Sequence, residues 1–192
     1  TINERPNAEQ LAQIARQCAE KARALGHDPR VAFLSYANFG NPPGALASQV
    51  RDAVSILDDE GADFEYDGEM SPDVALDMDL RVVYPFCRLT GAANILIMPG
   101  LHAAAISSQI LHKLGGGTVI GPLLTGLTRA VQIAPINAKD ADLVNFASLA
   151  AYDSLVIARA EKQKPETKKS RVAEARRKSD GAKTGKKTAK KK

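Results

Sequence analysis

The chain has 192 residues, 44% hydrophobic and 25% charged, which excludes a fully disordered polypeptide. Its formal charge of +4 is unevenly spread: residues 159–192 hold 15 of the 26 basic and 4 of the 22 acidic residues, leaving −7 for residues 1–158. The pI of about 9.1 therefore describes a tail, and the acidic body offers no net basic surface to nucleic acid.

Residues 7–25 place Leu11, Ile14, Ala15, Cys18, Ala22 and Leu25 at helical spacing, with Asn7 as N-cap and Gly26 as stop. The apolar run 30–36 predicts a buried strand, followed by a loop with Gly40, Pro42, Pro43 and Gly44. Val50, Val54 and Leu57 predict a helix over 47–57, and 64–66 a short strand. Ser71 and Pro72 mark a helix start. Residues 94–98 (NILIM) predict another buried strand, and 103–114 a helix stopped by Gly115, Gly116 and Gly117. Strands are also expected at 118–120 and 131–133, and a closing helix at 140–160. Short apolar strands alternating with helices predict an α/β three-layer sandwich with a mostly parallel sheet. One domain over 1–160 and a disordered Lys-rich tail over 161–192 are expected, because the tail has almost no large apolar residue to bury. That tail reads either as an electrostatic tether to nucleic acid or as a solvated terminus.

The two cysteines, Cys18 and Cys87, fit no metal or redox spacing and suggest thiols in a reducing, cytoplasmic compartment. No charge-free stretch of about 18 apolar residues predicts a membrane-spanning helix. The opening residues lack the basic start and apolar run of a signal peptide, and Thr1 in place of Met suggests a piece of a longer chain. There is no phosphate-binding G-x-x-x-x-G-K-[ST] and no G-x-G-x-x-G after a strand. His27, His102 and His112 do not have metal-ligand spacing, so no metal site is expected.

Four predicted strand ends carry small or polar residues: Ser35, Asn38 and Gly40; Asp67, Gly68 and Glu69; Pro99 and Gly100; and Gly121 with Pro122. Ligands bind outside the carboxyl ends of strands in open parallel sheets, so these residues could form a ligand rim. Turns favour the same residue types, and the residues alone leave both readings open.

The segments FLSYANFG (33–40), FEYDGEM (64–70), GAANILIMPGLHAAAIS (91–107), IGPLLTGL (120–127) and DADLVNFASLAA (140–151) stand in an order and spacing that resembles the phosphate acetyl/butyryltransferase family. The stretch YPFCRLTGAANILIMP with His102 after it is most similar to one branch, the acyltransferase-like C-terminal domain of large NADP-dependent malic enzymes. The resemblance implies the second lobe of a two-lobed phosphotransacetylase-like domain, with most of the first lobe upstream. It implies acetyl-CoA or another acyl-CoA as ligand and a homo-oligomer; NADP and a divalent metal would belong to upstream domains. By motif position Ser35, Asn38, Asp67, Gly68, Gly121 and Pro122 would bind ligand.

Active members resemble one another in a Ser-Arg-Gly followed by an Asp that would accept the thiol proton. Here those positions hold Pro135, Ile136 and Asn137, with Asp142 at the acid position. Thiol attack needs a proton acceptor and the developing oxyanion a fixed cation. Asp142 supplies the first; the aligned cation is gone. Asp142 equally suits the start of a helix, where the dipole favours an acid. The expected function is an acetyl-CoA-sensing regulatory and oligomerisation domain, the alternatives being an active phosphate acyltransferase or an interaction protein acting through its tail.

Overall fold

The computed structural model describes residues 3–115, 119–136 and 138–163. They divide into two compact units, one up to Gly126 and one from Leu127. The expected tail falls almost wholly outside the described residues.

The first unit runs α1 (Ala8–Ala24), β1 (Arg30–Leu34), α2 (Ala45–Glu60), β2 (Glu65–Met70), α3 (Pro72–Leu76), a 3-10 turn (Leu80–Val83), β3 (Ile95–Ile97) and α4 (Leu101–Leu114). The sheet has the order β2-β1-β3, with both pairings parallel. A central parallel strand is buried on both faces, which is why the sequence RVAFL is apolar nearly throughout.

Alternation along the strands sorts side chains into two layers. Val31 and Phe33 of β1 and Ile97 of β3 meet Leu11, Ala15 and Ala19 of α1 and Val50, Val54 and Leu57 of α2. Ala32 and Leu34 point the other way, to Met70, Val74, Ala75, Leu89 and Ala93. Helices, sheet, and α3 with the segment after it thus form the expected α/β layers.

Asn7 caps α1 as read from the sequence. Its side chain accepts the Gln10 N–H while Gln10 reaches back to the Asn7 N–H. At the other end Gly26 N–H and His27 N–H donate to Arg23 and Ala22 carbonyls, which ends the helix where the glycine predicted. Buried Arg81 was not foreseen. Its guanidinium donates to the carbonyls of Val74 (3.2 Å), Ala75 (2.8 Å) and Leu89 (3.1 Å), two of them at the end of the five-residue α3.

Two expectations need correction. The strand placed at 64–66 continues through Asp67, Gly68 and Glu69 to Met70, because β1 pairs along its whole length. No strand forms at 119–120 or 131–133; Thr118 lies outside the described residues. Val119, Ile120, Val131 and Ile133 are each about half exposed, and so short a run is not stable without a partnered neighbour.

The second unit carries α5 (Asp140–Gln163), close to the expected 140–160. By length and composition alone residues 140–159 could cross a membrane (mean hydropathy 1.3). The contrary expectation rested on the lack of a charge-free apolar run, and Asp140, Asp142, Asp153 and Arg159 do lie within that stretch.

Candidate functional site

A cavity of about 980 Å³ opens where β1 and β3 end. Leu34, Leu96 and Met98 leave those strands to line it, Val50 of α2 and Leu76 of α3 wall it, and Ile110 and Leu111 of α4 complete its apolar surface. Ser35, Tyr36, Gln49 and Ser107 add polar groups, and Arg5 and His102 are its basic ones. A mostly apolar cavity with few polar groups at the carboxyl ends of parallel strands is the usual form of a small-molecule site.

Of the six candidate ligand residues, only Ser35 lines this cavity. Its N–H donates to Met70 O at 2.9 Å, and its hydroxyl oxygen accepts the Ala37 N–H. Asn38 is turned to the end of β2, where Oδ1 accepts from Ser71 N–H (2.7 Å) and Ser71 Oγ (2.9 Å). The Ser71 side chain makes no cap hydrogen bond to the α3 backbone.

Asp67 and Gly68 lie inside β2, paired with Ala32 and Phe33, and not beyond its end. Buried Asp67 accepts N–H bonds from Gly68 (2.9 Å) and Arg88 (2.7 Å), so its oxygens serve the fold. Gly68 has φ +149°, and a Cβ there would sit 2.7 Å from Phe33 O. Both backbone conformation and the close approach of β1 demand glycine. At Gly121, by contrast, an added Cβ would make only ordinary van der Waals contact, with Leu123 N at 3.7 Å. Neither it nor Pro122 lines the cavity.

Asp142 belongs to the second unit, at the start of α5. Its carboxylate accepts the Lys139 N–H at 2.9 Å, a helix-capping bond that matches the dipole reading. Pro135 and Ile136 are exposed, Ile136 completely, and Asn137 lies outside the described residues.

The acidic edge beside Asp67 is an ion network. Arg88 pairs with Asp58 (2.5 Å) and Asp67 (3.4 Å) and lies over the Tyr66 ring at 4.9 Å, while Tyr66 donates to Asp58 at 2.7 Å. Burial and the bond to Asp58 push the Tyr66 phenol up to about 12. Burial alone would raise the Asp58 carboxyl, but the bonds from Arg88 and Tyr66 outweigh it and leave it below the usual range. Cys18 and Cys87 are free thiols pushed upward mainly by burial, the opposite of an activated nucleophile. Among the described residues no group of His, Cys, Asp and Glu could hold a metal ion.

Sequence reasoning missed Glu69 as a distinct element. It was visible only as the third residue of an acid-glycine-acid triplet. In the structure it is fully buried at a bulge, where Phe33 pairs with Gly68 and Leu34 with Met70.

Residues 1–151 match the family described as phosphate acetyl/butaryl transferase. The chain belongs to that family. An NADP-dependent malic enzyme of Rhizobium meliloti is 54% identical over 153 residues, covering 80% of this chain and 20% of the relative. A phosphate acetyltransferase of Nitratidesulfovibrio vulgaris is 34% identical over 154 residues, covering 80% of this chain and 22% of the relative. The chain thus spans about a fifth of the length of these relatives. Among solved structures, a phosphotransacetylase from Streptococcus pyogenes superposes with a TM-score of 0.76 at 30% identity, over 81% of this chain and 47% of that one. EutD phosphotransacetylase from Staphylococcus aureus gives 0.73 at 29% identity, over 80% and 48%. The expected family and phosphotransacetylase-like fold are therefore correct.

Proposed function

We propose that this chain is the acyltransferase-like part of an NADP-dependent malic enzyme, and that it serves as an acetyl-CoA-responsive regulatory and oligomerisation module without transferase activity of its own. The observation that carries this reading is the 54% identity to an NADP-dependent malic enzyme over 153 residues. Malate oxidation, with its NADP and divalent metal, would reside outside these residues, in a cytoplasmic enzyme.

The ligand would enter the cavity at the ends of β1 and β3. Its volume of about 980 Å³ and apolar walls suit a thioester and a flexible arm. Ser35 and Tyr36 offer hydroxyls, Arg5 offers positive charge toward phosphates and His102 a ring nitrogen, with the carboxylate of Glu4 on the same lining. Transfer to phosphate would also need a cation at the oxyanion, and Pro135 and Ile136 stand where the resemblance implies Ser-Arg. Regulation requires acetyl-CoA to bind one state of the enzyme more tightly than another.

The test is malate oxidation by the full-length protein across an acetyl-CoA titration, with and without residues 1–160. Loss of the acetyl-CoA effect on deletion, with oxidation retained, supports the reading; an unchanged effect refutes it. The second reading, an active phosphate acyltransferase, is favoured by the 34% identity to a phosphate acetyltransferase and by the acid at Asp142. It requires acetyl phosphate formation by the full-length protein that Asp142→Ala abolishes.

A further inference from the structure

The loop between β1 and α2 carries Ser35 and Tyr36 to the cavity, and it is gripped from two sides at Gly40. Below it, Glu69 is fully buried. Its Oε1 accepts the Gly40 N–H at 2.7 Å, and its backbone oxygen accepts the Phe39 N–H at 2.8 Å. On the other side is Arg51 of α2, about half exposed. A Cβ on Gly40 would sit 2.9 Å from an Arg51 terminal nitrogen, so the guanidinium lies against the loop. Gly40 itself has φ +95°, a second reason for glycine there.

The remaining oxygen of Glu69 is informative. Oε2 has no hydrogen-bond partner and faces Arg51 Nε at 3.6 Å. An amide would serve the Gly40 N–H equally well, without the cost of burying a charge. What the carboxylate adds over an amide is attraction to Arg51 across the loop.

We infer that Glu69 and Arg51 form a charge-locked clamp on residues 35–41, with Glu69 a positioning residue that holds Ser35 and Tyr36 in their ligand-ready places at the cavity. Glu69 need not touch the ligand; it acts through the loop. The inference rests on the reading of the cavity as an acyl-CoA site.

The experiment uses the full-length protein and reads basal malate oxidation, the acetyl-CoA concentration giving half its effect, and Tm. Variants are Glu69→Gln, Arg51→Met, Arg51→Lys and the double Glu69→Gln/Arg51→Met. Each of the first two should raise the half-effective concentration tenfold or more while basal kcat and the KM for malate stay within twofold. Arg51→Lys should recover most of the response, since it keeps the charge. The double variant should regain the Tm lost in Arg51→Met, because no buried carboxylate is left unpaired, yet stay insensitive to acetyl-CoA. A double variant that regains the response along with its Tm would overturn the clamp, since the pair would then be structural only. So would single variants that respond like the wild type. If Glu69→Gln does not fold, Arg51→Met, altered on an exposed side chain, carries the same test. A wild-type protein indifferent to acetyl-CoA overturns the reading of the site and the clamp together, and is distinguished by failing before any substitution is made.

Discussion

Helices α2 and α4 are similar in length and opposite in fate. Over Ala45–Glu60, α2 buries Ala47, Val50, Ala53, Val54 and Leu57, an i, i+3, i+4 stripe against the sheet. Over Leu101–Leu114, α4 buries nothing, and Ile106, Ile110, Leu111 and Leu114 are 52–81% exposed. Apolar content does not separate them. What separates them is whether the apolar stripe meets strands. The stripe of α2 closes a core, and that of α4 borders an open cavity, so α2 holds the fold together while α4 shapes the site.

The largest effect should follow from attacking the first of these. Phe33 is fully buried between α1 and α2, and Phe33→Ala should cost about 3–5 kcal/mol in urea unfolding. Leu57→Ala on α2 should cost about 2–5 kcal/mol. Leu111→Ala on α4 should stay within about 0.5 kcal/mol, because the side chain is already in water. Equal costs for Leu57→Ala and Leu111→Ala would break the contrast. Arg81→Met sharpens it on the other face of the sheet. Three carbonyls lose their donor there, and a cost of about 2–4 kcal/mol is expected by the same measurement. A smaller effect belongs to the ends of helices. Asn7→Ala removes the side-chain half of the α1 capping box and should cost about 1 kcal/mol. A loss under a few tenths would mean that packing alone sets the start of α1.

The same contrast explains what could be read in advance. Strand β1 was legible because a parallel strand buried on both faces must be apolar, whatever surrounds it. Strand β2 was cut short at residue 66 because its second half reads as a charged turn. Asp67 and Glu69 are tolerated inside because Arg88 and Gly40 supply their hydrogen bonds, and such partners lie 21 and 29 residues away. Asn38 follows β1 as a polar residue, but nothing in one sequence shows that Ser71 consumes its oxygen. Ser35 reaches the cavity as its position suggested. The apolar lining from α3 and α4 was hidden because those residues look like ordinary helix core. At Asp142 an acid suits both a proton acceptor and a helix start, and the bond from Lys139 N–H supplies the structural use.

The smallest expected effect concerns the outer edge of β2, where α2 is tied to the sheet by charge as well as by packing. Tyr66 donates to Asp58 of α2, and its phenol is pushed up to about 12 by burial and that bond. An unfolded tyrosine titrates near 10, so the folded state favours the neutral phenol. The stability this adds is therefore fully present below about pH 10 and is lost as pH rises through about 12. An ultraviolet absorbance titration should show a phenol component with its midpoint at about 12. Tyr66→Phe should delete that component, and Asp58→Asn should bring its midpoint down, since an uncharged partner no longer opposes the phenolate. A midpoint near 10 that Asp58→Asn leaves in place would show that the Tyr66–Asp58 bond is no part of what ties α2 to the sheet.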